Sequence, residues 1–267
     1  MSSFVRMALV GVILLVGSVV ASAATVTLVA NSGYVFRTEE LAVAIDAFAS
    51  YRTSREMQSS MLAGDPPYDV DVILVTHSHF DHFDASLVAG NMKTDRGPIL
   101  VGPRDVIGAV RSRATGLPDD RFIEAEPSTE EPVSFVADGV VLTCCLFPHP
   151  PSGLPVNVGY LFELDSVTFF HPGDLDVRDR GALFAHYALD EAAIDVAIVP
   201  SFMFTDTGLQ DALHSLGAGC FVPTHASPLE LQFPCELGRE TFGNLVCFTA
   251  LMEEIEFAAP DEGSTEN

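Results

Sequence analysis

The chain has 267 residues, 48% of them hydrophobic, and a formal net charge of -24. That length and apolar content suffice for one well-filled domain, or at most two small ones. With a single lysine, Lys93, and so acidic a balance, there is no basic face for sequence-independent nucleic-acid binding or for docking on anionic lipid.

Residues 1–23 follow the charged, apolar, small-residue order of a secretory signal peptide. Arg6 lies near the start, an apolar run extends from Met7 to Val20, and Ala21-Ser22-Ala23 closes it. Cleavage after Ala23 is expected to leave a domain over 24–256 with no stable membrane span, exported to a periplasm or secreted. An uncleaved N-terminal anchor is the alternative. Residues 257–267 read as an acidic flexible tail, and Glu253, Glu254 and Glu256 just before them as part of the same fraying end.

In chain order, Thr25–Ala30 and Tyr34–Thr38 read as a strand pair turning at Asn31-Ser32-Gly33, and Leu41–Ile45 as a third strand ending at Asp46. Tyr51–Leu62 is expected to be helical. Val70–Thr76 is an almost continuous β-branched and apolar run, as in a strand buried on both faces. A helix is predicted to start at Asp84, a strand over Ile99–Gly102 and a helix over Pro103–Ser112. Val133–Val136 and Val140–Leu146 flank Asp138-Gly139, a hairpin signal, and Tyr160–Leu164 and Val167–His171 flank Asp165-Ser166. Asp195–Pro200 and Cys220–Pro223 read as buried strands, with Thr207 capping a helix over Gly208–Leu216 between them. A last helix is predicted from about Glu236 to Glu254. The five cysteines contain no CxxC pair, and Cys144, Cys145, Cys220 and Cys247 sit in apolar segments, where they read as small buried hydrophobes. Strands dominate both halves and helices follow them, so the reading is one α/β domain with two sheets.

The chemistry concentrates in Thr76-His77-Ser78-His79-Phe80-Asp81-His82, directly after the buried strand. Three imidazoles and a carboxylate within six residues are donors suited to zinc and similar divalent ions. In extended backbone alternate residues point the same way, so His77 and His79 can grip one ion while Asp81 and His82 face a second. His149, Asp174 and His225 each follow another apolar strand, and strand ends converging on one rim are where α/β proteins build sites.

HxHxDH, a lone His, an HxGD-like Asp and a late His after a strand together resemble the metallo-β-lactamase superfamily, in order and approximate spacing, from about Thr25 to Leu251. Asp46 in Ala44-Ile45-Asp46-Ala47-Phe48 matches an early aspartate of that family. His149…Gly159-Tyr160 and His171-Pro172-Gly173-Asp174 resemble its ascorbate-phosphate lactonase-like and N-acylphosphatidylethanolamine phospholipase D-like branch. The resemblance implies a four-layer αββα sandwich and two divalent metal ions, Zn2+ before Mn2+ or Fe2+. It implies His77, His79 and His149 on the first ion and Asp81, His82 and His225 on the second. Asp174 would bridge them, with Asp46 supporting the loop from behind. Leu175 stands where many relatives carry Thr.

The implied activity is a metallo-hydrolase in which a metal-bridging hydroxide attacks an ester, lactone, amide or phosphodiester of a small molecule or lipid-derived substrate, with Asp81 steering it as the catalytic residue. His171 and His214 are candidate proton donors, although supporting or packing roles suit His171 better and a helix face suits His214. His186 reads as a surface helix residue. Phe147, Pro148, Phe202, Met203 and Phe204 could equally form an apolar substrate wall or cover the core. Arg178 and Arg180 could meet an anionic group, or form surface ion pairs. Two alternatives stay open: an iron-dependent oxidative enzyme of the same fold, and a non-catalytic metal- or ligand-binding module. The lactonase-like details and the acidic charge argue against β-lactam and nucleic-acid substrates.

Overall fold

The computed structural model describes residues 23–149, 155–175 and 180–258. The strands are β1 (Ala23–Leu28), β2 (Tyr34–Arg37), β3 (Ala42–Ile45), β4 (Val72–Leu74), β5 (Ile99–Gly102), β6 (Phe122–Glu124), β7 (Val133–Ala137), β8 (Val140–Phe147), β9 (Asn157–Leu164), β10 (Val167–His171), β11 (Val196–Pro200), β12 (Cys220–Thr224) and β13 (Glu254–Ala258). The helices are α1 (Arg55–Ala63), α2 (Ala85–Asn91), α3 (Arg104–Arg111), α4 (Arg180–His186), α5 (Thr207–Leu216) and α6 (Pro228–Thr241). One sheet has the order β13-β1-β2-β3-β4-β5-β6 and the other β12-β11-β10-β9-β8-β7.

Period-two patterning builds the layers. In β3, Val43 and Ile45 face the second sheet while Ala42 and Ala44 face the outer helices. Val72 and Leu74 against Ile73 repeat this in β4, as do Val196 and Ile198 against Ala197 and Val199 in β11. Three apolar clusters result: one between the sheets, one joining the first sheet to α1, α2 and α3, and one joining the second sheet to α4 and α5. This is the expected αββα sandwich in a single domain. Both hairpin turns form as read, with Asp138 and Gly139, and Asp165 and Ser166, at positive φ.

Several boundaries differ from expectation. The first helix starts at Arg55 because Ser54 caps it, leaving Tyr51–Thr53 as a turn. The fifth helix is capped by Asp206, whose carboxylate accepts from the Gly208 N–H, and Thr207 is its first residue. The last helix runs over Pro228–Thr241, eight residues earlier than expected at its start. Ser227 and Glu230 form a capping box with Pro228 in the first turn, and after Phe242 the chain turns back to run beside β12. Glu254 and Glu256 do not fray: they lie in β13, which pairs antiparallel with β1, so the expected tail boundary at 257 falls inside a strand. Cys247 is not a free buried hydrophobe, because it is disulfide-bonded to Cys235 and ties α6 to this returning segment. Cys144, Cys145 and Cys220 are free thiols, the first two buried. Residues 1–22, most of the Pro-rich loop at 150–154, Arg178 and the end of the acidic tail lie outside the described residues.

Candidate metal centre

The carboxyl ends of β3, β4, β8, β10 and β12 lie at one edge of the sandwich, and each carries a residue singled out in the sequence: Asp46, the His77–His82 loop, His149, Asp174 and His225. Two bonds between the sheets fix the end of β4 there. The Tyr160 hydroxyl in β9 donates to the Val75 carbonyl at 2.8 Å, and the Val158 N–H donates to the Thr76 carbonyl at 2.9 Å. These bonds satisfy carbonyls that the interior would otherwise leave unpaired.

Asp46 organises the loop from behind. One carboxylate oxygen accepts the Thr76 N–H at 2.8 Å, and the other accepts the Thr76 hydroxyl at 2.6 Å and faces His82 Nδ1 at 2.7 Å. The Thr76 hydroxyl lies 2.9 Å from His77 Nδ1. Since its one proton goes to Asp46, it accepts from His77 Nδ1–H. Both rings are thereby turned so that Nε2 faces the site. Asp46 and His225 adopt φ of +48° and +65°, a left-handed conformation unusual for residues other than glycine.

Asn157 plays the corresponding part for Asp174. Its side-chain amide donates to the Pro172 carbonyl at 2.9 Å and its oxygen accepts the Asp174 N–H at 3.1 Å. Gly173 between them has φ +66°, and a Cβ there would lie 2.2 Å from Asn157 Oδ1. Only glycine fits this turn. Asn157 was not visible as a site residue in the sequence. The Asn-x-Gly-Tyr start of β9 is the one sign of it.

The donors fall into two groups, His77, His79, His149 and Asp174, and Asp81, His82 and His225, the ligand atoms of each group lying within 4.8 Å of one another. Asp174 stands between them, with one oxygen 3.3 Å from His82 Nε2 and the other 3.4 Å from His149 Nε2, 3.3 Å from His225 Nε2 and 3.7 Å from His77 Nε2. His225 Nε2 is also 3.4 Å from Asp81. Nε2 of His77, His82, His149 and His225 is buried and makes no hydrogen bond. Buried polar atoms are seldom left so. Four of them aimed at one carboxylate fit a pair of divalent ions, with imidazole and carboxylate as the donor chemistry.

The electrostatics of the two groups differ. Burial pushes the His77 imidazole down to about 3, and burial followed by the neighbouring His149 lowers His79. Burial would also lower His82 and His225, but Asp46 and Asp174 override it at His82, pushing it up to about 10, and Asp174 and Asp81 override it at His225, pushing it up to about 9. Burial opposes ionisation of Asp81 and Asp174, yet the imidazoles around them hold Asp81 down at about 2 and Asp174 below the ordinary carboxylate range.

The remaining candidates are placed differently. His171 is fully buried, its Nδ1 accepts the Gly173 N–H at 3.0 Å, and burial pushes it down to about 4; it supports the Asp174 turn. His214 is exposed on α5 with its ring stacked on Phe242, and His186 is exposed at the end of α4. Phe147, Met203, Phe204 and Leu175 are core residues of the outer cluster on the second sheet, with Phe202 packed against it, so these aromatics cover the core.

The family model of the beta-lactamase superfamily domain matches residues 42–228. A UPF0173 metal-dependent hydrolase of Pyrococcus horikoshii is 29% identical over 148 residues, which is 54% of this chain and 60% of the relative, so the chain spans less than two thirds of that relative's length. Among solved structures, Igni18, a metallo hydrolase from Ignicoccus hospitalis, superposes with a TM-score of 0.61 at 18% identity, covering 88% of this chain and 99% of that one. CmlA, a diiron beta-hydroxylase from Streptomyces venezuelae, superposes with a TM-score of 0.58 at 9% identity, covering 88% and 54%. With Asp46 and all seven donor residues lying inside the matched span, the chain belongs to the metallo-β-lactamase superfamily.

Proposed function

We propose that the chain is an exported metal-dependent hydrolase that cleaves an ester, lactone, amide or phosphodiester bond of a small-molecule or lipid-derived substrate. The observation that carries this reading is the convergence on Asp174 of four buried imidazole nitrogens that lie in ion-pair range of it and make no hydrogen bond. Two divalent ions, zinc before manganese or iron, would be held by His77, His79 and His149 and by Asp81, His82 and His225, and would supply Lewis acidity and a hydroxide at neutral pH.

The chain's own residues do the rest. Asp174 places the two groups at a fixed separation. Asp46 and Thr76 fix the orientation of His82 and His77. Asp81 stays ionised and partly exposed, so it can orient the attacking nucleophile by accepting a hydrogen bond as well as ligate. The disulfide between Cys235 and Cys247 supports export, since such bonds persist in oxidising compartments, and the signal-peptide order of residues 1–23 supports it independently. Among the described residues no helix is long and apolar enough to cross a membrane.

The test is metal analysis of protein purified without chelator, with assays on esters, lactones, amides and phosphodiesters before and after chelation. Metal-dependent turnover on one class supports the reading; less than one ion per chain with no turnover on any class refutes it. The likeness in fold to a diiron beta-hydroxylase favours one second reading, oxidative chemistry on iron. A visible absorption band in the iron-loaded protein with oxygen uptake would select it. Retained metal without turnover of either kind would leave a binding module.

A further inference from the structure

Phe80 lies between two of the metal-site residues, His79 and Asp81, and yet turns its ring to solvent, where it is 68% exposed. Leu229 is 74% exposed and Phe233 64%. These are the three most exposed large apolar side chains among the described residues; Phe80 is in the ligand-bearing loop, and Leu229 and Phe233 are in the helix that follows His225. Leu229 and Phe233 occupy the first two turns of α6, which starts three residues after His225.

The three are physically connected. Leu229 and Phe233 are four residues apart and so share one face of the helix. Glu230, beside them, pairs with both guanidinium nitrogens of Arg52. The Arg52 guanidinium lies 5.1 Å from the Tyr51 ring, and Tyr51 meets Phe80 edge-on at 5.1 Å. A chain of contacts therefore runs from the middle of the HxHxDH loop, through Tyr51 and the Arg52–Glu230 ion pair, to the first turns of α6, which carry the exposed Leu229 and Phe233. Isolated exposed apolar residues are ordinary, but three of them related by such contacts, one standing between two metal-site residues, make an apolar strip beside the site that suits a binding surface.

We propose that the substrate carries a linear apolar chain, and that this chain lies along Phe80, Leu229 and Phe233 while its polar, cleavable end sits at Asp174. The cleavable end rests on the hydrolase reading; the apolar chain rests on the strip. A net charge of -24 repels anionic headgroups and anionic bilayers, so the substrate class is an uncharged acyl or alkyl compound taken up singly.

The test uses n-alkyl hydroxamates of about two to ten carbons, whose chelating head anchors at metal and is not hydrolysed, titrated calorimetrically into metal-loaded protein. A fully buried methylene is worth about fourfold in affinity and a half-buried one about twofold. The wild type is expected to bind about twofold tighter per added methylene once the chain reaches the strip. The Leu229→Ser/Phe233→Ser double variant is expected to lose that slope while binding the two-carbon compound unchanged. A flat wild-type series, or equal slopes in both proteins, overturns the proposal. So does a wild-type dimer in sedimentation that the variant lacks, because the strip would then be a contact between copies of the chain. If the slopes behave as expected and no ester, lactone, amide or phosphodiester is cleaved, the apolar-chain site stands and the hydrolase reading falls. If p-nitrophenyl acetate is cleaved and the hydroxamate series is flat, the reverse holds.

Discussion

His77 and His82 lie on one loop with ring centroids 4.1 Å apart, but their surroundings drive them in opposite directions. His77 is buried, beside His82, with Thr76 as its hydrogen-bond partner, so it stays neutral down to about 3. His82 is buried between Asp46 and Asp174 and holds its proton up to about 10. The same contrast extends to the partners: His79 shifts down with His77, and His225, between Asp81 and Asp174, shifts up with His82. In one half of the site His77 and His79 offer imidazoles shifted toward the neutral form, whereas in the other the protons held by His82 and His225 offset the carboxylates beside them. A metal entering the first half displaces few protons near neutral pH. A metal entering the second must displace protons from His82 and His225.

The severest way to break this comparison is Asp174→Ala, which removes the carboxylate common to both halves. Activity is expected to fall by more than the roughly 100-fold that loss of a supporting residue costs, with metal content falling in both halves, checked by kcat/KM and metal analysis. Asp46→Asn should separate the halves instead. It removes the charge facing His82 and weakens the hold on Thr76, so the second half should lose metal first, with a loss of about 10- to 100-fold in activity. Equal loss from both halves would contradict the contrast.

pH sharpens the comparison further. Each displaced proton makes affinity rise up to about tenfold per pH unit, so binding of the second ion should strengthen steeply from pH 6 to 9 while binding of the first changes less. Calorimetry across that range would show it. In the metal-free protein the sign runs the other way. His82 and His225 have folded values of about 10 and about 9, above the ordinary imidazole value of about 6.5. Their stabilising contribution is complete below about 6.5 and is lost as pH rises through 9 to 10, so the Tm without metal should decline over that window and the decline should vanish on loading.

The smallest effect on chemistry is expected from the disulfide. Cys235→Ser/Cys247→Ser opens a link between residues 12 apart in sequence, costing about 3 kcal/mol in the chain-entropy account. At the usual scaling this lowers Tm by roughly 6–12 °C. His77, His79 and His149 follow β4 and β8, away from the β12–α6 connection, and should keep their metal, whereas His225, just before α6, should bind less tightly. Calorimetric Tm and metal content together decide this.

The HxHxDH loop was legible because four donor residues in six, at the end of a buried apolar strand, have few other uses. His149, Asp174 and His225 were legible only through their order, and the structure brings all seven donors together. Asn157, Tyr160 and Thr76 were not legible in their roles. An asparagine or tyrosine in a strand carries no local mark of a partner 15 or 85 residues away. The start of α6 was missed: the capping box in Ser227-Pro228-Leu229-Glu230, a local signal, places the helix eight residues before the predicted start. The disulfide was not, because only the return of the chain beside β12 brings Cys247 to Cys235. The hairpins and layers followed from turn residues and period-two patterning, which are local properties.

The central claim, two adjoining donor groups with unequal proton occupancy, is tested most directly by counting bound divalent ions per chain, by mass spectrometry of elements, on protein equilibrated without chelator at pH 6 and at pH 8. About one ion per chain is expected at the lower pH and about two at the higher. Fewer than one ion at both, or the same number at both, would contradict that claim.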